Sequence, residues 1–280
     1  MKRIISLGLV SLLSFVQTHS SPFVTAELMG QLGNQMFIIA ATVSLALDHE
    51  ATPIFPDLVH NQQYNIPLNH RRLFHSLPTQ LPKSVSLTYR EPHFAYKSIP
   101  YQPNMKLLGY FQSEKYFSKH KQEILDLFAA PPDVMDHLVL HYGDILEHPQ
   151  AVSVHVRFYY KEDPTGKAHP TCSREYFEKA MEYFPEDALF VVFSNQIDEC
   201  KSLLSGMSRN LRFIEGEDHF SDLYLMSLCK HNIIANSSFS WWGAYLNPNP
   251  DKQVIAPKTW FNPAYEPNTQ DLLPEGWVGI

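Results

Sequence analysis

The stretch from Asp222 to Leu246, DLYLMSLCKHNIIANSSFSWWGAYL, confines the fold more than any other part of the chain. Its apolar periodicity predicts a helix over 222–229, a buried strand over 232–235, a polar turn, and a second helix over 239–246. The turn carries Asn236, Ser237, Ser238 and Ser240, with Phe239 between the serines and Trp241 and Trp242 directly behind. A buried strand that empties into small hydroxyl residues and then a helix belongs to a parallel α/β sheet. The first turn of such a helix has free N–H groups and a partial positive charge, so it favours an anion, phosphate above all. Serine and asparagine are also preferred helix caps, which need no ligand. Spacing alone leaves both readings standing. It also leaves open whether Trp241 stacks on a ligand ring or both tryptophans are core.

The same alternation runs through the rest of the chain. A strand over 23–28, a turn over 30–35, an apolar helix over 36–48 and a strand over 52–55 form a βαβ start. Residues 58–103, rich in proline and histidine, read as loops and small helices. A strand over 107–110, a helix over 113–128, the Pro131-Pro132 break and a helix over 134–141 follow. Beyond that come strands over 151–156, 189–193, 211–214 and 253–256, with helices over 174–184 and 196–204. Strands alternating with helices imply parallel sheets covered on both faces. A boundary between 131 and 150 would divide the chain into an N-terminal half, 22–145, and a C-terminal half, 146–280, with a cleft between them.

A net charge of −7 argues against a general nucleic-acid binder, so any phosphate site must be local. The three cysteines, Cys172, Cys200 and Cys229, form neither a CxxC pair nor a metal spacing. The 14 histidines contain no HExxH, and the chain has no Asp-x-Asp. No metal is expected, which leaves arginine and helix N-termini to neutralise a diphosphate. Lys2 and Arg3, an apolar run over 4–16 and a polar exit over 17–21 form a signal-like or short anchor segment within 1–21. The expectation is therefore an exported or membrane-associated protein, a cytoplasmic catalytic face being compatible with a retained anchor. The alternative is a buried first element.

Three further segments carry chemistry. Gly30-x-x-Gly33-Asn34-Gln35 lies between a strand and a helix, where glycine serves either a close ligand approach or the tight turn itself. His155-Val156-Arg157 ends a strand, and alternation sends His155 and Arg157 to one face. An arginine fork there suits a diphosphate or else pairs with Glu162 or Asp163 on the surface. Ser194-Asn195 ends a fully apolar strand and either holds a base or sugar or caps the next helix.

Together these segments resemble the α-1,2-fucosyltransferase family, glycosyltransferase family 11. The resemblance rests on Glu27-Leu28-Met29-Gly30-Gln31-Leu32-Gly33-Asn34-Gln35-Met36-Phe37, on Gly109-Tyr110-Phe111-Gln112-Ser113-Glu114-Lys115-Tyr116-Phe117, loosely on Phe193-Ser194-Asn195, and on 222–246 almost throughout. It spans about 22–261. It implies a GT-B fold of two facing Rossmann-like halves and a metal-free, inverting transfer. The donor would be GDP-β-L-fucose, held mainly by the C-terminal half, and fucose would pass to O2 of a terminal galactoside. It implies further that Gly30, Gly33, Gln35, Ser194, Asn195, Asn236, Ser237, Ser238, Phe239, Ser240 and Trp241 line the donor site. Arg157 would meet the diphosphate, and Asn34 the phosphates or the anomeric centre. His155, Glu217, Asp218 and Asp222 are candidate bases, Asp222 alternatively a helix cap.

One motif departs from the family pattern His-x-Arg-Arg-x-Asp-Tyr. The second arginine is Phe158 and the acid is Tyr160, with Lys161 or Arg174 as candidate replacements for the lost charge. The departure keeps three other readings open. One is a different GT-B fucosyltransferase, α-1,6 or O-linked. The second is a degenerate homologue that binds nucleotide or glycan without turnover. The last is an exported α/β binding protein with no nucleotide site.

Overall fold

The computed structural model describes residues 21–160, 162, 164–265 and 267–280. The signal-like run 4–16, Lys161 and Asp163 lie outside the described residues. Among the described residues no helix is long and apolar enough to cross a membrane.

The first half opens with strand β1 (Phe23–Ala26), helix α1 (Leu32–Asp48) and strand β2 (Thr52–Ile54). Short helices α2 (Asp57–His60) and α3 (Ile66–Asn69), a π turn over His70–Phe74, and strands β3 (Leu87–Arg90) and β4 (Met105–Leu108) complete it. The four strands form a parallel sheet in the order β2-β1-β4-β3. Every residue of α1 from Leu32 to Ala46 is buried except Asn34. That burial explains the nearly unbroken apolar sequence, and it singles out Asn34 as the one residue of the first turn that faces outward. The helix starts four residues earlier than the apolar pattern predicts, so Gly33, Asn34 and Gln35 belong to its first turn and not to a preceding loop.

Helices α4 (Lys121–Leu127) and α5 (Pro132–Glu147) lead to the second half. It runs β5 (Ala151–Val156), α6 (Pro164–Ala168), α7 (Arg174–Met181), β6 (Leu189–Ser194), α8 (Ile197–Leu203) and β7 (Asn210–Phe213). It ends with α9 (His219–Leu228), β8 (His231–Ile233), α10 (Ser238–Tyr245), β9 (Val254–Ala256) and β10 (Val278–Gly279). These six strands are again all parallel, ordered β10-β9-β8-β5-β6-β7. The long helix predicted over 113–128 is two 3₁₀ turns, Glu114–Tyr116 and Ser118–His120, followed by α4. Strand β3 falls in the segment read as loops. It is an edge strand whose residues alternate between half-buried and exposed, which hides it among prolines and polar residues.

The halves share one core. The ring of Phe37 on α1 lies 4.5 Å from that of Trp241 and 5.1 Å from that of Trp242 on α10. Phe117 stacks on Trp242 at 5.4 Å, and Phe128 meets it edge-on at 5.1 Å. Both tryptophans are fully buried, and one contiguous apolar cluster takes residues from both sheets.

Candidate active site

In an open parallel sheet, ligands bind where the strand order reverses, beyond the carboxyl ends of the two strands concerned. In the first sheet that place is between β1 and β4, and in the second between β5 and β8. The segments leaving those four strands are the ones the sequence singles out: the Gly30 turn, Gly109–Gln112, His155–Arg157 and Asn236–Ser240.

The two reversal points meet through α1 and α10. Gly33 packs so tightly on α10 that a Cβ there would stand 2.5 Å from the Ser238 carbonyl carbon and 2.6 Å from the Phe239 nitrogen. The close approach that Gly33 permits is thus to protein backbone, which corrects the expected approach to ligand. Gly30 has φ +68°, and the Asn34 amide occupies the space a Cβ would need. Asn34 Oδ1 accepts from Gln112 Nε2 at 2.8 Å and from Ser238 Oγ at 2.7 Å. Helices α1 and α10 run the same way, Gly33 on Ser238 and Phe37 on Trp241, so their positive ends converge beside Asn34. Neither helix has an acidic residue in its first turn. Ser237 is the N-cap of α10, accepting from the Phe239 amide at 3.3 Å.

Arg157 follows β5 at the second reversal point. Among the described residues it makes no ion pair, and its guanidinium lies over the Tyr159 ring, 5.5 Å from the centroid. Tyr159 donates its hydroxyl to the Asn236 carbonyl at 2.9 Å and stacks on His169 at 5.1 Å. The loop after β5 is thereby tied to the turn before α10. Tyr159 is the residue sequence reasoning missed, because the motif pattern leaves its position unspecified. His155 is 5% exposed, its ring lies 5.8 Å from that of Phe239, and its Nδ1 has no hydrogen-bond partner. Burial first, and the neighbouring Arg157 second, push its pKa down to about 3. A histidine so weakly basic does not serve as the general base near neutral pH. It offers instead a neutral imidazole with one unsatisfied nitrogen beneath the first turn of α10.

Several expected ligand contacts are used inside the protein. Gln35 donates from Nε2 to the carbonyls of Gly30 (2.8 Å) and Tyr64 (2.9 Å), and its Oε1 accepts from Asn69. Asn236 is fully buried and donates to the carbonyls of Pro170 and Trp260. Ser240 is buried, its hydroxyl on the Ser237 carbonyl. Trp241 is buried with Nε1 on the Leu272 carbonyl at 2.9 Å, so it is core and not a stacking platform. Asn195 clamps the Phe158 backbone at both ends, accepting from its N–H at 2.9 Å and donating to its carbonyl at 3.2 Å. Ser194 bonds its own turn through the Gln196 amide.

The clamp explains the broken motif. Alternation along the chain sends Phe158 to the face opposite Arg157, where it packs on the apolar cluster around Val156 and Phe177. Tyr160 donates to Glu199 at 2.6 Å. Arg174, a candidate replacement charge, is bonded to Glu178 and to the carbonyls of Leu203 and Ser205. The three acidic base candidates lie at the α5–α9 seam. Asp218, and not Asp222, caps α9 through the amides of Phe220 and Ser221. Glu217 accepts from Tyr142 and bonds His137 on α5, beside an open cavity of about 390 Å³. Asp222 is raised to about 7, by burial first and then by Glu217 and Asp218.

Two parallel sheets joined at their reversal points, one followed by an arginine and a serine-capped helix start, have the GT-B plan of nucleotide-sugar glycosyltransferases. The model of Glycosyl transferase family 11 matches residues 16–280, and the chain belongs to that family. It is 30% identical to the alpha-1,2-colitosyltransferase of Escherichia coli, over 92% of this chain and 98% of that protein. It is 26% identical to galactoside alpha-(1,2)-fucosyltransferase 2 of Oryctolagus cuniculus, over 91% of this chain and 76% of that one. Among solved structures, fucosyltransferase NodZ from Bradyrhizobium shares the fold with a TM-score of 0.53 at 12% identity, covering 81% of this chain and 93% of NodZ.

Proposed function

We propose that the chain is an inverting α-1,2-fucosyltransferase that moves L-fucose from GDP-β-L-fucose to O2 of a terminal galactoside. The observation that carries this reading is the convergence of Arg157, Asn34 and the first turn of α10 at the meeting of the two reversal points. The acceptor hydroxyl oxygen attacks the anomeric carbon, its proton is released to solvent, the bond to the β-phosphate oxygen breaks, and that bond's electron pair passes to the diphosphate. Charge grows on the leaving group in that step. Arg157 and the Ser238 N–H at the start of α10 are set to meet it. Ser238 and Gln112 both occupy Asn34 Oδ1, which fixes the side chain and turns its NH₂ over Gly30.

The reading of a homologue without turnover drew on Phe158 and Tyr160. Their side chains point elsewhere and leave Arg157 in place, so catalysis is favoured. A second reading concerns the donor sugar alone. A relative of nearly full coverage is named for colitose, so GDP-colitose is the competing donor. Arg157→Ala tests the assignment. Losing a charge-assisted bond of about 1.5–3 kcal/mol should weaken GDP binding by roughly ten- to a hundredfold, and turnover should fall further. Unchanged GDP affinity and turnover would sink the proposal. Parallel assays with both GDP-sugars separate the two donors. Membrane association or export through 1–21 is part of the proposal, supported by Lys2, Arg3 and the apolar run behind them. Fractionation of cells expressing the chain with and without that segment tests it.

A further inference from the structure

Two tyrosines on the rim of the first sheet have exposed rings that the reaction as described leaves unused. Tyr64 is 45% exposed and Tyr110 is 40% exposed, although most large side chains nearby are buried. Burial first, and the neighbouring Tyr64 phenol second, raise the pKa of Tyr110, so the two side chains are neighbours. Both hang from the machinery around Asn34. The Tyr64 carbonyl accepts from Gln35, the residue after Asn34, and the same Gln35 amide holds the Gly30 carbonyl. Tyr110 stands two residues before Gln112, which donates to Asn34 Oδ1. Two residues span at most roughly 7 Å, so the Tyr110 backbone is held within reach of the reaction centre.

Both rings are held outward by unusual backbone. Tyr64, Asn65 and Phe111 have φ of 55°, 58° and 51°, a region that side-chain-bearing residues rarely adopt. At Phe111 the purpose is visible. Its ring is fully buried, and the turn that buries it sends the adjacent Tyr110 outward. Glu91 fastens the turn by accepting from the amides of Tyr110 (2.7 Å) and Phe111 (3.1 Å). Gly109 leaves room for that carboxylate, since a Cβ there would collide with Glu91. Strain maintained by dedicated partners beside a reaction centre points to a role for the residue it presents.

We propose that Tyr64 and Tyr110 form an aromatic platform for the acceptor glycan, on which the apolar C–H face of the terminal galactose and of the sugar behind it rests. The inference deepens the proposed function and rests on it. Tyrosine suits the task because it gives rigid, amphipathic contact area with little side-chain freedom to lose. The platform stands on the half opposite Arg157, anchored through Gln35 and Gln112 beside Asn34. Glu91 is a positioning residue in this arrangement, acting through the Tyr110–Phe111 turn.

The test is steady-state kinetics of the full chain with GDP-fucose and lactose, comparing wild type with Tyr64→Leu, Tyr110→Leu, the double leucine variant and the two phenylalanine variants. Both positions are exposed, so the variants should fold. The KM for lactose should rise about tenfold for each ring lost. The KM for GDP-fucose, GDP affinity and acceptor-free hydrolysis should stay unchanged, and the phenylalanine variants should behave as wild type. An unaltered lactose KM in the double leucine variant overturns the platform. So does a parallel loss of GDP affinity, which would put the rings at the donor. A wild-type chain that hydrolyses GDP-fucose but transfers to no β-galactoside removes the galactoside from both the platform and the proposed function, while loss of GDP binding in Arg157→Ala still reports on the donor site separately.

Discussion

Two substitutions separate what a residue does from where its motif places it. Phe158 stands where the family has a second arginine, yet its backbone is clamped by Asn195 and its ring rests on apolar side chains. Restoring the arginine, Phe158→Arg, should leave GDP affinity unchanged and lower stability by about 1–2 kcal/mol, because a charge replaces packed aromatic surface. Binding titration and urea denaturation read the two effects independently. Asp222 gives the opposite case. In the unfolded chain an aspartate releases its proton near pH 4, whereas in the fold this one holds it to about 7. Between those values the folded state binds more protons, so stability falls as pH rises through the window and the penalty is complete above pH 7. Asp222→Asn should therefore gain roughly 2 kcal/mol at pH 8 and almost nothing at pH 4, read from denaturation curves at the two values. Arginine at a strand end and serine at a helix start have local causes, so Arg157 and Ser237 can be singled out as candidates from sequence. The bonds of Gln35 to Asn69, Asn236 to Pro170 and Trp241 to Leu272 each span more than 30 positions, so no local pattern shows that these side chains are used inside the protein.

At the scale of elements, the contact between α1 and α10 decides how the site is built. Gly33 is glycine because the backbone of Ser238 and Phe239 fills the space beside it. A methyl group there must push two buried helices apart, neither of which ends in a flexible side chain that can yield. Gly33→Ala should cost about 1–3 kcal/mol of stability and lower turnover more than GDP affinity, because it shifts Asn34 relative to Ser238. Thermal denaturation with parallel kinetics checks both. The elements that could be read from sequence are those with a strong period or full burial: β5, β6, α1 and the run from α9 to α10. Those that could not are β3, a half-exposed edge strand, and the 3₁₀ turns before α4, where Tyr116 and Phe117 imitate a helical stripe.

At the scale of the molecule, two sheets share one core. Trp242 touches Phe37, Phe117 and Phe128 from the first half and is fully buried. Calorimetry should show a single unfolding transition. Trp242→Ala should lower it as a whole, by roughly 3–5 kcal/mol, without splitting it in two. Two separate transitions would mean the halves fold independently. The tandem order of the sheets and their parallel sense were legible in the strand–helix alternation, but the welding of the halves was not. It depends on aromatic residues that look the same in sequence whether they serve one core or two.

The pairing of α1 and α10 has a consequence for the protein before any substrate arrives. Two helices that run side by side bring two positive poles together, and like poles repel. Neither first turn holds an acid to soften that repulsion. Asn34, with its oxygen between Gln112 and Ser238, supplies only a dipole. With GDP-fucose as the proposed donor, its diphosphate is the counter-ion that this seam favours.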